Sequence, residues 1–344
     1  TGVTTLEDIP GHYVLLAHAQ AGGLLGRQHF EFDLRSFDSL PALSDMLLSP
    51  PWAERRVDRD AMLAHLRRGL LFANGDTVRT YAELYGLGEL IVKVKEPVEG
   101  DLCHLRGDHT LFSYLHLAAN PELTAKLCTI GLTALAFETV QLADGGLPLL
   151  APMSDIAGRL SIQLGTHLLH QPQGGKGILL GGLPGAERGR VTVIGAGTAG
   201  GNAVRLAAVL GAEVTVFDRQ LSKLEAMRQF GDNVTALYPY PDSIEEAVSG
   251  ADLIVGAVLI PGARAPHLIS ADQVKGMQPG SVIVDISVDQ GGCIETTRPT
   301  DYRSPTYLVD GVVHLAVTNM PGAVPRSASQ ALSAALTPYL QILA

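Results

Sequence analysis

Three glycines and one aspartate have the most specific chemistry in the chain. In VTVIGAGTAGGNAV, Gly195, Gly197 and Gly200 follow a Val- and Ile-rich run in the order G-x-G-x-x-G and open an amphipathic stretch. A strand, then such glycines, then a helix is the pattern of a phosphate cradle. Gly195 permits a tight turn, Gly197 lets the backbone approach a pyrophosphate, and Gly200 lets the helix pack close to the strand. The helix N-terminus adds free N–H groups and the positive end of its dipole. The next apolar run, AEVTVFD, ends at Asp218, about twenty residues on, where a carboxylate accepts hydrogen bonds from ribose hydroxyls. Residues near 190 to 320 are therefore expected to form a Rossmann-type domain that binds a dinucleotide. The Asp218 carboxylate repels a 2′-phosphate and favours NAD over NADP, although Arg219, directly after it, can accept such a phosphate.

The surrounding pattern supplies the elements this cradle needs. Apolar runs VTVIG, AEVTVFD, DLIVGAV and SVIVDI alternate with amphipathic AGGNAVRLAAVLG, QLSKLEAMRQFG and ADQVKGM. Strands apolar throughout and separated by helices imply a parallel sheet covered on both faces. Residues 1 to 150 hold weaker candidates: HYVLLAHA, a helical AMLAHLRRGLLF, a strand in ELIVKVKE, then LFSYLHLA and LTALAFETV. They suggest a second, less regular α/β unit. SDIAGRLSIQLGTHLLH and SASQALSAALTPYLQILA have helical spacing and are expected to be long helices joining the two. The expected division is a divergent substrate unit over 1 to 150, with a return at about 325 to 344, and a nucleotide domain over 151 to 324. The stretch from Asp33 to Arg68 is expected to be an insertion or loop.

Composition limits the partners. Lys and Arg number 25 against 35 Asp and Glu, giving a net charge of -10, so a nucleic-acid partner is not expected. Mean hydropathy is +0.20, yet no apolar run is long enough to span a bilayer and the first residues do not resemble a signal peptide. A soluble, cytoplasmic protein is the expectation. Cys103, Cys128 and Cys293 are widely spaced and form no CxxC pair, so no metal site is expected and the three are read as reduced, packed thiols.

Longer motifs carry a family resemblance. QGGKGILLGGLPGAERGRVTVIGAGTAG, ADLIVGAVLIPGARAPHLI, GSVIVDISVDQGGCIETTRPT and TNMPGAVPRS resemble alanine dehydrogenases, as do LIVKVKEP, LFSYLHLAA, FETV and LPLLAPMSDIAGRL upstream. The likeness extends over about residues 88 to 343. It implies that Lys95 of KVKEP holds the substrate, that His116 of YLHLA is catalytic, and that Asp289 of VDQGG lies beside the nicotinamide. For the nucleotide it adds Ser154, Thr198, Ala199, Lys223, Val258, Leu259, Arg298 and Asn319 to the glycines and Asp218. The residue types suit amine oxidation: a histidine shuttles protons near neutrality, a lysine stabilises a reacting oxygen, and a carboxylate favours an iminium. Taken without the resemblance, His116 is a core histidine, Lys95 a solvated strand residue and Asp289 a turn cap.

The N-terminus departs from the family. Where alanine dehydrogenases resemble G-V-P-K-E-x-K-x-x-E-x-R-V, this chain reads GVTTLEDIPGHYV, which puts Tyr13 at the position of the arginine that grips the substrate carboxylate. A hydroxyl does not replace a guanidinium fork. The family's C-terminal segment is also expected to be missing. The leading expectation is NAD-dependent oxidative deamination of a small L-amino acid, alanine or a relative. The alternatives are an imine or opine-type reductase and a dinucleotide-binding protein without turnover. The resemblance further implies a homo-oligomer, hexamer or dimer.

Overall fold

The computed structural model describes residues 13–14, 31–32, 71–73, 90–260 and 265–343. The chain divides into two units, 1–150 with 324–344, and 151–323.

The second unit is built on a seven-stranded sheet. Its strands are β7 (Arg190–Ile194), β8 (Glu213–Phe217), β9 (Val234–Leu237), β10 (Leu253–Gly256), β11 (Val282–Asp285), β12 (Thr306–Val309) and β13 (Val312–Leu315). Their order is β12-β13-β11-β10-β7-β8-β9, and only β12 runs antiparallel to its neighbour. The six parallel strands have the doubly wound order of a Rossmann sheet, whose direction of winding reverses between β7 and β10. The last four residues of β7, and all of β10 and β11, are buried, because helices cover both faces. On one face lie α3 (Ala151–Leu168), α4 (Thr198–Val209) and α5 (Leu221–Arg228); on the other, α6 (Pro241–Ser249) and α7 (Ala271–Lys275) pack into a core with Ile194, Phe217, Ile254 and Ile283. Each fully buried aliphatic side chain contributes about 1.5–3 kcal/mol. Helix α3 crosses α4 closely: a Cβ at Gly158 would overlap the Ala199 carbonyl.

The first unit contains a parallel four-stranded sheet of β3 (Leu71–Ala73), β4 (Leu90–Lys93), β5 (Thr110–Ser113) and β6 (Thr133–Ala136). Short helix α1 (Glu99–Leu102) follows β4, and α2 (Pro121–Ile130) follows β5. Asn120 starts α2, its Oδ1 accepting the Leu123 N–H at 3.1 Å, and Gly131, in the left-handed region at φ 79°, ends it. Ile91, Leu111, Leu115, Leu123 and Leu127 form the core. A two-residue ribbon pairs β1 (Tyr13–Val14) with β2 (Glu31–Phe32), and helix α8 (Pro325–Leu343) lies against β1.

Two expectations are corrected. AMLAHLRRGLLF does not end as a helix: Leu71 and Phe72 belong to β3, in parallel register with Ile91 and Val92. Pairing with an already buried strand overrides local spacing there. The cysteines are not all packed, since Cys103 and Cys128 are exposed and only Cys293 is buried. Cys103 closes the exposed end of α1, and Cys128 follows the buried Leu127 on the outward side of α2. The remainder of AMLAHLRRGLLF and the stretch 33–68 lie outside the described residues. No helix among the described residues is long and apolar enough to cross a membrane.

Candidate functional site

In the second unit the turn after β7 stands at the reversal of the sheet, the place where open α/β sheets take ligands. Gly195 has φ 102°, its N–H donates to the Phe217 carbonyl at 2.8 Å, and a Cβ on it would lie 2.5 Å from the Ala257 carbonyl oxygen. A Cβ at Gly200 would run into the Gly195 carbonyl. A Cβ at Gly197 would meet nothing within 4 Å, and no side chain caps the N-terminus of α4 that Gly197 opens. Two glycines therefore allow close backbone packing, and the third leaves open space in front of the α4 N–H groups. Such a surface fits a pyrophosphate.

Asp218 follows β8 directly. Its Oδ2 accepts the Ala196 N–H at 2.8 Å and its Oδ1 accepts the Gln220 N–H at 2.9 Å. A carboxylate offers about four lone-pair positions, so two backbone bonds leave acceptor capacity on both oxygens. Thr198 and Ala199 begin α4, Lys223 is on the first turn of α5, and Val258 and Leu259 follow β10. Ser154 is one turn before Gly158 on α3. These nominated residues converge on the carboxyl ends of β7, β8 and β10 or on the helices beside them.

A second cluster surrounds the carboxyl end of β11. Asp289, on the 3-10 turn Ile286–Gln290, accepts the backbone N–H of Asn319 at 3.3 Å, and Asn319 takes the left-handed conformation at φ 57°. The Arg298 guanidinium sits 4.2 Å over the Tyr307 ring, and its backbone N–H donates to the Tyr307 hydroxyl at 2.8 Å. Tyr307 stacks in turn on His314, with 5.1 Å between centroids. His314 Nδ1 lies 3.0 Å from the Val312 carbonyl and Nε2 lies 2.8 Å from Thr296 Oγ1. A carbonyl only accepts, so Nδ1 carries the proton, and burial lowers the His314 pKa in keeping with a neutral ring.

The sequence reading missed Asp285. It is fully buried at the end of β11, where its carboxyl accepts the N–H groups of Ser287 (2.9 Å) and Cys293 (3.1 Å) and stands 2.6 Å from Thr297 Oγ1. Burial pushes its carboxyl above the ordinary aspartate range, against the hydrogen bonds that favour its charged form. The side chain thereby ties down both ends of the loop bearing Asp289. A lone acid ending an apolar strand, VIVD, was the available signal.

In the first unit the two lysines of KVKEP have different surroundings. Lys93 ends β4, fully buried, with Nζ 2.8 Å from the equally buried Asp101 Oδ2. Lys95, partly exposed beyond the strand, has no ion pair among the described residues; its carbonyl accepts the Ser113 hydroxyl at 2.9 Å. His116 adopts φ 48° and ψ 39° between β5 and a 3-10 turn at Leu117–Ala119. Its ring lies nearly parallel to that of Tyr114, at 9° and 6.0 Å. The Tyr114 hydroxyl donates to the Leu149 carbonyl at 2.6 Å, and burial raises its pKa, with the Glu138 charge adding to the effect. Tyr13 pairs through its backbone with Phe32, and its side chain lies outside the described residues.

Comparison with known proteins gives a consistent result. Residues 161–344 match the family described as "Alanine dehydrogenase/PNT, C-terminal domain", and residues 70–157 match its N-terminal domain. The alanine dehydrogenase of Halomonas elongata is 52% identical over 264 residues, covering 76% of this chain and 71% of that protein. That of Geobacillus stearothermophilus is 50% identical over 270 residues, covering 78% and 72%. A solved L-alanine dehydrogenase superposes with a TM-score of 0.70 at 51% identity, covering 75% of this chain and 72% of that one. A transhydrogenase from Sinorhizobium meliloti shares the fold, with a TM-score of 0.65 at 23% identity, covering 77% and 76%. With a cradle that fits a pyridine nucleotide, both family domains matched and relatives half identical over most of its length, the chain is an enzyme of the alanine dehydrogenase/PNT family.

Proposed function

We propose that the chain catalyses the NAD-dependent oxidative deamination of a small L-amino acid, alanine foremost, to the 2-oxo acid and ammonia. The observation that carries the reading is the open space before Gly197, at an uncapped helix N-terminus beside Asp218, in a chain half identical to alanine dehydrogenases. Gly195, Gly197, Thr198, Ala199 and Gly200 hold the pyrophosphate, and Asp218 takes the adenosine ribose hydroxyls. Ser154, Lys223, Val258, Leu259, Arg298 and Asn319 complete the nucleotide contacts. When bound, the nicotinamide accepts a hydride from the substrate α-carbon.

The remaining work falls to side chains of this chain. Lys95 offers its ammonium to the substrate carboxylate or developing carbonyl oxygen, a use that Lys93, committed to Asp101, does not share. Asp289 favours the positive charge of the substrate iminium. His116 takes a proton from the water that adds to the iminium carbon and returns it as ammonia leaves, the work of a general base and acid. Residues 1 to 150 with the return at 325 to 344 are assigned to substrate and 151 to 324 to the nucleotide. The test is a screen of L-amino acids with NAD and with NADP, followed by absorbance of the reduced nucleotide. Turnover of alanine or a small neighbour with NAD supports the proposal, and binding of NADH without turnover of any amino acid refutes it.

A further inference from the structure

His116 sits in the left-handed backbone region, at φ 48° and ψ 39°. A non-glycine residue in the left-handed region is costly, on the order of 1 kcal/mol, and only His116, Asp310 and Asn319 adopt it among the described non-glycine residues. What stabilises the turn is a carboxylate 22 residues away. Glu138 Oε1 accepts the His116 N–H at 2.6 Å, and both of its oxygens lie 3.2 Å from the Leu115 N. Two successive backbone N–H groups converge on one anion, the geometry of an anion-binding nest. A charge-assisted bond of this kind is roughly twice as strong as a neutral one.

The anchor of Glu138 is itself fixed. It lies on the 3-10 turn Phe137–Thr139, next to Phe137, which is fully buried. The Phe137 ring meets Phe112 edge-on at 4.4 Å and Tyr114 at 5.0 Å. Tyr114 in turn lies parallel to the His116 imidazole. The backbone of His116 is thus held from one side by Glu138 and its ring is flanked by an aromatic group that the same turn supports.

We infer that Glu138 is a positioning residue for the reaction: its carboxylate holds the His116 turn in the left-handed conformation and so sets the direction of the imidazole. The inference rests on the reading of His116 as the proton-transfer group. Glutamine has the same shape but one acceptor oxygen, and its amide donors face the Leu115 N–H. Aspartate keeps the charge and falls short by a methylene.

The test measures kcat, KM, NADH affinity and Tm for Glu138→Gln and Glu138→Asp, alone and combined with His116→Ala. The expected result is a kcat lowered at least about tenfold in both single variants, with NADH affinity and Tm near those of the parent. In the His116→Ala background neither substitution should lower the residual rate further, since no imidazole remains to be positioned. Full kcat in both variants overturns the inference, as does an equal loss with and without His116, or a loss of kcat that only tracks a fall in Tm. If His116→Ala alone keeps parental turnover, it is the proton-transfer reading that fails.

Discussion

The backbone N–H of Ala196 in the glycine turn donates to Asp218 Oδ2 at 2.8 Å. One carboxylate therefore shapes the glycine turn proposed for the pyrophosphate and stands beside the place proposed for the adenosine ribose. Asp218→Ala should weaken NAD binding by about ten- to a hundredfold, the equivalent of one charged hydrogen bond of roughly 1.5–3 kcal/mol. It should also narrow the preference for NAD over NADP, because the charge opposing a 2′-phosphate is gone. Calorimetric titration with both nucleotides checks this, and unchanged NAD affinity would shift the preference to Arg219 or elsewhere.

The two lysines of KVKEP should separate stability from activity. Lys93→Met removes one partner of a fully buried ion pair and should cost about 3–5 kcal/mol, read as a lower urea midpoint. Lys95→Met should hardly move that midpoint while reducing kcat/KM for the amino acid about ten- to a hundredfold. The reverse pattern would exchange their roles.

Stability should depend on pH through Asp285, whose carboxyl burial pushes up. Below the ordinary aspartate value of about 4 the group is protonated in folded and unfolded chains alike. As the pH rises past it, the unfolded chain loses the proton first, so this group's contribution declines until its raised folded value is passed. Asp285→Asn cannot titrate. The variant's deficit in Tm against the parent should therefore be larger near about pH 5 than near about pH 8, and a deficit independent of pH would contradict the assignment.

We propose, from the ungapped reading that starts at Gly2, that Tyr13 stands where the family's carboxylate-gripping arginine does. A missing guanidinium bond is absent from ground state and transition state alike, which raises KM more than it lowers kcat. Tyr13→Arg should lower KM for alanine. No gain, together with ordinary alanine kinetics in the parent, would show that another cation grips the carboxylate.

The regular part of the nucleotide unit was legible because its central strands are buried on both faces and spell themselves as apolar runs. Strand β9 was not, since Thr235 and Leu237 are exposed at the sheet edge and leave no uniform run. The β12–β13 hairpin was legible and overlooked: Asp310 and Gly311, both at positive φ, make its two-residue turn inside YLVDGVVHL. The glycines and Asp218 announced their chemistry by spacing. Glu138 did not, and Asp285 did so only as the acid that ends VIVD, because a carboxylate that binds backbone N–H groups leaves no pattern at the positions it serves. Nor did spacing alone distinguish Lys93, buried at the end of β4 against Asp101, from Lys95, partly exposed beyond the strand.

The most direct measurement follows the fate of the α-hydrogen. L-alanine deuterated at the α-carbon, incubated with the enzyme and NAD, should yield pyruvate, ammonia and reduced nucleotide carrying deuterium at C4 in equal amounts. Turnover should fall by at least about a hundredfold in His116→Ala while NADH still binds. Pyruvate formed without deuterium in the nucleotide, or no label transfer from any small L-amino acid despite tight NADH binding, would contradict the proposed hydride transfer.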